Sequence, residues 1–329
     1  MTTTIMMRSL ILSTLLATAA FAQVGGPVLG YVPEGATVRP MYGLPAAGAI
    51  GAGIAEGGWA RIAVSPSQNF LVATSADTGA VQVVNLLKPG VTAIPGAAAN
   101  PDIIAVSPSG TSAALWFASS SHIQVLTGLP DAPSVRTIDA SFLNASPLAI
   151  SVSDDGQWAA ALFSAGVYAF GPSAQVIPLQ TDSGVVALSF MHNSHDLALA
   201  TSARATSIAG VGAANQPSIL YDYSAQSLSP RALGVSFDNQ QIVVADAAGK
   251  LVNINAASHA ASTVDCACSP TGVFSLGGSV FRLNGTGRTG DTRTGHTGDL
   301  KVFDAAAGAV WIVPPALSEA LSETKGARQ

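Results

Sequence analysis

Ala105-Val106-Ser107-Pro108-Ser109-Gly110 is a short apolar run that ends in serine and passes at once into a turn, and the pattern recurs along the chain. Related stretches are Ala63-Val64-Ser65-Pro66-Ser67, Ser151-Val152-Ser153-Asp154-Asp155-Gly156, Leu188-Ser189-Phe190, Gly234-Val235-Ser236-Phe237-Asp238-Asn239 and Ala267-Cys268-Ser269-Pro270-Thr271-Gly272. Ser65, Ser107, Ser153, Ser189, Ser236 and Ser269 stand 42, 46, 36, 47 and 33 residues apart, a mean near 41. A repeat of that length is one supersecondary unit of a circular array, the blade of a β-propeller.

Within one repeat the chain alternates short apolar strands with turns. After Val64 come the turn Ser65-Pro66-Ser67-Gln68-Asn69, the strand Phe70-Leu71-Val72-Ala73, a second turn at Ala76-Asp77-Thr78-Gly79, and the strand Val81-Gln82-Val83-Val84-Asn85. Proline presets φ for a turn, serine bonds back to the turn backbone, and Gly or Asn accepts the left-handed conformation. The third strand recurs at Leu220-Tyr221-Asp222, Val252-Asn253-Ile254-Asn255 and Val302-Phe303-Asp304. No stretch between residues 60 and 315 keeps a 3.6-residue apolar period over helix length, so the chain reads as all-β, with a short helix at most beyond Ala316. Residues 24 to 317 hold about 7.2 periods, one more than the six serine stretches. The expected architecture is therefore a β-propeller of seven blades, with six as the alternative. Its ring would be closed by strands from both termini, Leu29–Val32 and Val38–Tyr42 sharing a blade with Leu300–Val313.

Residues 1–22 read as a signal peptide. Arg8 precedes the apolar stretch Leu10–Phe21, which is too short to span a bilayer, and Ala20-Phe21-Ala22 suits cleavage before Gln23. A single domain over residues 23–315 and a tail over 316–329 follow, in a protein exported to the periplasm or beyond. Without Arg8 the chain has 13 basic and 19 acidic side chains in no cluster, which argues against nucleic acid or an anionic membrane surface as partner. Charged residues make up 10% of the chain, against roughly 25% in a typical soluble protein. Blades stacked face to face explain the difference, because their strands are apolar on both sides.

The serine stretch at 105–110 and the strand Val302-Phe303-Asp304, which runs into a turn at Gly308, resemble the WD-repeat-like and YVTN-type propellers of exported bacterial proteins. The resemblance extends over most of residues 60–315, although the Trp-Asp pair of true WD repeats is absent. It implies a propeller, and, if the chain is an enzyme, a hydrolase or lactonase of the seven-bladed YVTN type using Asp and Arg at the channel mouth.

Chemistry is sparse. The four glutamates, Glu34, Glu56, Glu319 and Glu323, lie outside the serine repeats, and no Gly-x-Ser-x-Gly, His-Glu-x-x-His or zinc-spaced cysteine pattern occurs. No catalytic residue and no cofactor are assigned. His192-Asn193-Ser194-His195-Asp196 is the densest ligand-like cluster; His192, His195 and Asp196 are metal candidates in what also reads as a polar turn. Residues 287–298, with Arg288 and Arg293, read as a mobile polar insertion or an anion- or partner-binding loop. A second insertion, Ala203 to Pro217, is placed between the second and third strands of the fourth repeat. That position would bring Arg204 and Asn215 to the rim of a binding face. Cys266 and Cys268, two residues apart in an apparent strand, read as buried thiols, with a strained redox pair as the alternative. Trp59, Trp116, Trp158 and Trp311 read as core residues, or else as a carbohydrate platform. The function expected is a non-catalytic scaffold, monomeric, binding a protein or a small-molecule ligand.

Overall fold

The serine stretches close hairpins. In the computed structural model, which describes residues 26–54, 58–88, 90–179, 181, 184–213, 216–287 and 300–314, four of them end the innermost strand of a sheet and hand the chain to the second. The N–H of Ser65, Ser107, Ser153 and Ser236 each donates to the carbonyl five residues on, at Phe70, Ser112, Trp158 and Gln241. The serine Oγ adds a second bond: Ser107, Ser153 and Ser236 accept the N–H of Ser112, Trp158 and Gln241 at 3.1, 3.0 and 2.8 Å. Each of these serines is almost wholly buried, so its hydroxyl satisfies a backbone donor that water cannot reach.

The other two serines hold different positions. Met191, not Ser189, makes the closing bond, to Asp196, and Leu276 takes the corresponding place in the last sheet by bonding Val280. Ser269 lies near the start of its strand, Cys268–Ser275. Counted at the closing residue, Ser65, Ser107, Ser153, Met191, Ser236 and Leu276 stand 42, 46, 38, 45 and 40 residues apart, a tighter spread than the serines show. The repeat is thus a repeat of hairpins, and serine is its commonest closing residue.

The described residues form seven antiparallel sheets, each a meander in chain order: a seven-bladed β-propeller. The first blade has three strands, Val28–Glu34, Thr37–Leu44 and Ala47–Ile50, and the other six have four. The innermost strands of blades two to seven are Trp59–Val64, Ile103–Val106, Ala149–Val152, Val185–Phe190, Pro230–Val235 and Cys268–Ser275. Among the described residues, helix is limited to single 3-10 turns at Ser141–Leu143, Pro172–Ala174 and Ser224–Gln226. Second strands such as Ser112–Phe117, Ala159–Phe163 and Leu197–Thr201 are buried along their whole length, since neighbouring blades cover both faces. Fourth strands such as Val91–Ala93 and Ala261–Asp265 are largely exposed and carry little apolar pattern.

One apolar cluster fills each boundary between adjacent blades. The five from blade two round to blade seven hold ten to thirteen buried residues each. Those on either side of blade one hold five: Tyr31, Val38, Leu71, Ala73 and Val84 against blade two, and Val32, Met41, Leu276, Val302 and Val313 against blade seven.

The blade expected to be shared between the chain ends does not form. The strands Leu300–Asp304 and Ala309–Val313 complete the sheet begun by Cys268–Ser275, while the N-terminal strands make a sheet of their own. The two meet through their apolar cluster and a bond from Ile50 N–H to the Pro314 carbonyl, 3.1 Å. The signal peptide and the tail expected from sequence lie outside the described residues.

Candidate binding surfaces

Seven innermost strands running the same way give the ring two unlike faces. One, the turn face, carries the hairpins between first and second strands and between third and fourth. The other carries the crossovers from each blade to the next.

Polar groups on the turn face bind one another across blade boundaries. The Asp154 carboxylate in blade four accepts the N–H of Ser109 in blade three at 2.7 Å and of Asn193 in blade five at 2.6 Å. Asn239 in blade six accepts the His192 N–H and donates to the His192 carbonyl, both at 2.8 Å. Gln68 in blade two accepts the Tyr31 N–H of blade one at 2.8 Å and donates to the Ser275 carbonyl of blade seven at 3.3 Å. Between blades two and three the fit is steric. Gly110, at φ +86°, leaves room for Ser65, whose Oγ would lie 2.2 Å from any Cβ there.

These bonds also place the metal candidates. His195 Nε2 lies 2.8 Å from Asp155 of the preceding blade. Asp196 accepts the Gly210 N–H at 2.7 Å, and His192 packs its ring on Phe237 with centroids 3.8 Å apart. Among the described residues, no three His, Cys, Asp or Glu side chains are arranged to hold a metal ion.

The insertion read at Ala203 to Pro217 begins with a strand. Arg204–Ile208 is the third strand of blade five and Pro217–Asp222 the fourth, where the latter was expected to be the third. The true connection, from residue 209 to 216, therefore lies on the turn face. There Val211 N–H bonds the His195 carbonyl, and Gly212 rests against Trp158. Arg204 stays on the crossover face, 3.8 Å from Asp222. Asn215, Arg288 and Arg293 lie outside the described residues.

The crossover face exposes large apolar side chains. Phe142 (58% exposed) and Leu148 (72%) sit in the crossover from blade three to blade four, and Val186 (37%) opens the innermost strand of blade five. Arg204, paired with Asp222, stands on the same face. Strand periodicity did not single out Phe142 or Leu148, because both belong to a connection. The signal available was an apolar Phe and Leu inside an otherwise small and polar stretch, Ala140-Ser141-Phe142-Leu143-Asn144-Ala145-Ser146-Pro147-Leu148.

The innermost strands offer little acid-base chemistry. Their acidic and basic side chains, among the described residues, are Glu34, Arg61 and Arg231. Glu34 ends its strand on the turn face and pairs with Arg39 at 2.8 Å, whereas Arg61 and Arg231 sit near the opposite ends of theirs. Cys266 and Cys268 are joined in a disulfide, not held as free thiols. Cys266 belongs to the crossover from blade six, where Ala267 at φ +46° folds the chain back and brings the two Cα atoms to 5.1 Å, closer than an extended strand allows. The buried Lys301 ammonium holds this crossover, donating to the carbonyls of Cys266 and Ala267 at 2.7 and 2.9 Å.

No protein-family model and no curated protein matches the chain. Solved structures do. The β-propeller domain of Cps50 (Swd1) from Myceliophteria thermophila aligns with a TM-score of 0.56 at 15% identity, covering 79% of this chain and 88% of that one. A streptogramin B lyase aligns at 0.57 with 10% identity, covering 78% and 83%. A chain in the crystal structure of the Mitotic Checkpoint Complex aligns at 0.53 with 12% identity, covering 76% and 74%. The likeness is one of fold. Among the described residues, no helix is long and apolar enough to cross a membrane.

Proposed function

We propose that this chain is an exported, non-catalytic β-propeller of the WD-repeat-like or YVTN type that binds a protein partner over its crossover face. The observation that carries the reading is the contrast between the two faces. On the turn face several polar groups are committed to neighbouring blades and the exposed Leu87 and Phe237 stand apart in blades two and six, whereas Phe142, Leu148 and Val186 stand exposed in blades three to five of the crossover face. Exposed apolar side chains gathered on one face and rimmed by charge mark an interaction surface. The occurrence of similar propellers in a protein complex supports the reading. The similar streptogramin B lyase fold supports the alternative of an enzyme. A hydrolase or lactonase would gather acids and bases at the channel, and the separation of Glu34 from Arg61 and Arg231 along the innermost strands favours binding instead.

The test is capture of partners by the tagged mature protein from the periplasm and medium of its own cells, with wild type and Phe142→Ser/Leu148→Ser in parallel. A protein retained by wild type and lost from the double variant is the expected result. Equal retention by both would overturn the assignment of the face.

A further inference from the structure

Blade one packs thinly on its neighbours, and a cavity of about 470 Å³ opens between it and blade two, within the size range of small-molecule sites. Tyr31, Tyr42 and Trp59 give it aromatic walls, Leu86 adds apolar surface, and Asn85 and Lys88 stand among its polar lining. Tyr42 takes its place because Gly51 has no side chain; a Cβ there would lie 2.4 Å from the ring.

The polar chemistry of this cavity is one-sided. No Asp or Glu is among its described lining residues. The Trp59 Nε1–H is buried with no acceptor, and Lys88 forms no ion pair among the described residues. The Asn85 Oδ1 is taken up by the N–H groups of Leu87 and Lys88, at 2.9 and 2.8 Å. The Tyr31 hydroxyl reaches the Leu86 carbonyl only at 3.4 Å. A cavity with flat aromatic walls and an ammonium among its polar lining, and no acid among its described lining residues, complements a ligand with an aromatic body and an anionic group.

We propose that the cleft between blades one and two binds a small aromatic carboxylate, its rings among Tyr31, Tyr42 and Trp59 and its carboxylate toward Lys88. The site lies in blades one and two, away from Phe142, Leu148 and Val186 of blades three to five, so it stands or falls independently of partner capture.

Calorimetric titration of the mature protein with 2-naphthoate and with the neutral 2-naphthamide tests it. Saturable binding of naphthoate at one site is expected. Lys88→Gln should weaken naphthoate by about tenfold or more, the worth of one charge-assisted contact, and leave naphthamide nearly unchanged. Trp59→Phe should weaken both ligands, and Tyr42→Ala serves in its place if that variant does not fold. No saturable binding at millimolar concentration would overturn the proposal. So would equal loss of both ligands in Lys88→Gln, or affinity that neither aromatic substitution changes.

Discussion

At the scale of single residues, the serine hydroxyl does structural work that its position decides. Ser236 Oγ accepts the Gln241 N–H at 2.8 Å and donates to Asp238 at 2.6 Å, whereas Ser189 Oγ bonds only the carbonyl of the next residue, Phe190, at 3.0 Å. Ser236→Ala strands the partly buried Gln241 N–H and should cost about 1 kcal/mol. Ser189→Ala should cost clearly less, with urea unfolding as the measure; equal losses would contradict the distinction. The same hydroxyls set an acid limit. The Ser236 hydroxyl holds Asp238 below the ordinary carboxylate range, outweighing burial, with help from the Gln240 N–H. For Asp155 the largest influence is burial, which raises its pKa, but the Gln157 N–H, the Ser153 hydroxyl and His195 together bring it below the ordinary value. A depressed carboxylate adds stability above its unfolded pKa, about 3.9, and that contribution disappears as pH falls through the depressed value. The melting temperature should therefore drop as pH falls below about 4, and Asp155→Asn/Asp238→Asn should flatten that drop. An unchanged slope would show that other groups set the limit.

Between elements, much of the cohesion is cross-blade and was not legible from sequence. Arg136, on the outer strand of blade three, donates to the carbonyls of Gly156, Gln157 and Gly171 in blade four, each at 3.0 Å. Arg136→Met should cost about 1–3 kcal/mol, and Arg136→Lys should recover little of it, because an ammonium lacks the forked geometry. Full recovery by Lys would contradict the geometric reading. The first three strands of most blades were readable from apolar runs and turn residues. The fourth strands were not, because solvent covers one side and removes the apolar pattern: Val91–Ala93 is exposed at every residue. This is why, from sequence, Pro217–Asp222 reads as a third strand and Arg204–Ile208 as a loop. The disulfide was missed for a related reason. Spacing alone implied an extended strand, whereas the left-handed Ala267 makes a sharp bend.

For the whole molecule, seven blades were legible because period multiplied by number matched the length of the chain. How the ends meet was not, because it depends on strand pairing rather than on repeat count: three N-terminal strands stand as a separate blade beside a complete seventh. The candidate face was legible only in part. Arg204 lies on the crossover face as a strand residue rather than in an insertion, and Phe142 and Leu148, which carry the apolar surface, have no strand pattern to mark them. The most direct measurement places a photo-crosslinking amino acid at Leu148 on the crossover face and, separately, at the exposed Gln240 on the turn face, in protein produced in its own cells. A discrete adduct from position 148 and none from position 240 is the result expected of a partner seated on the crossover face. An adduct from position 240 alone would contradict it.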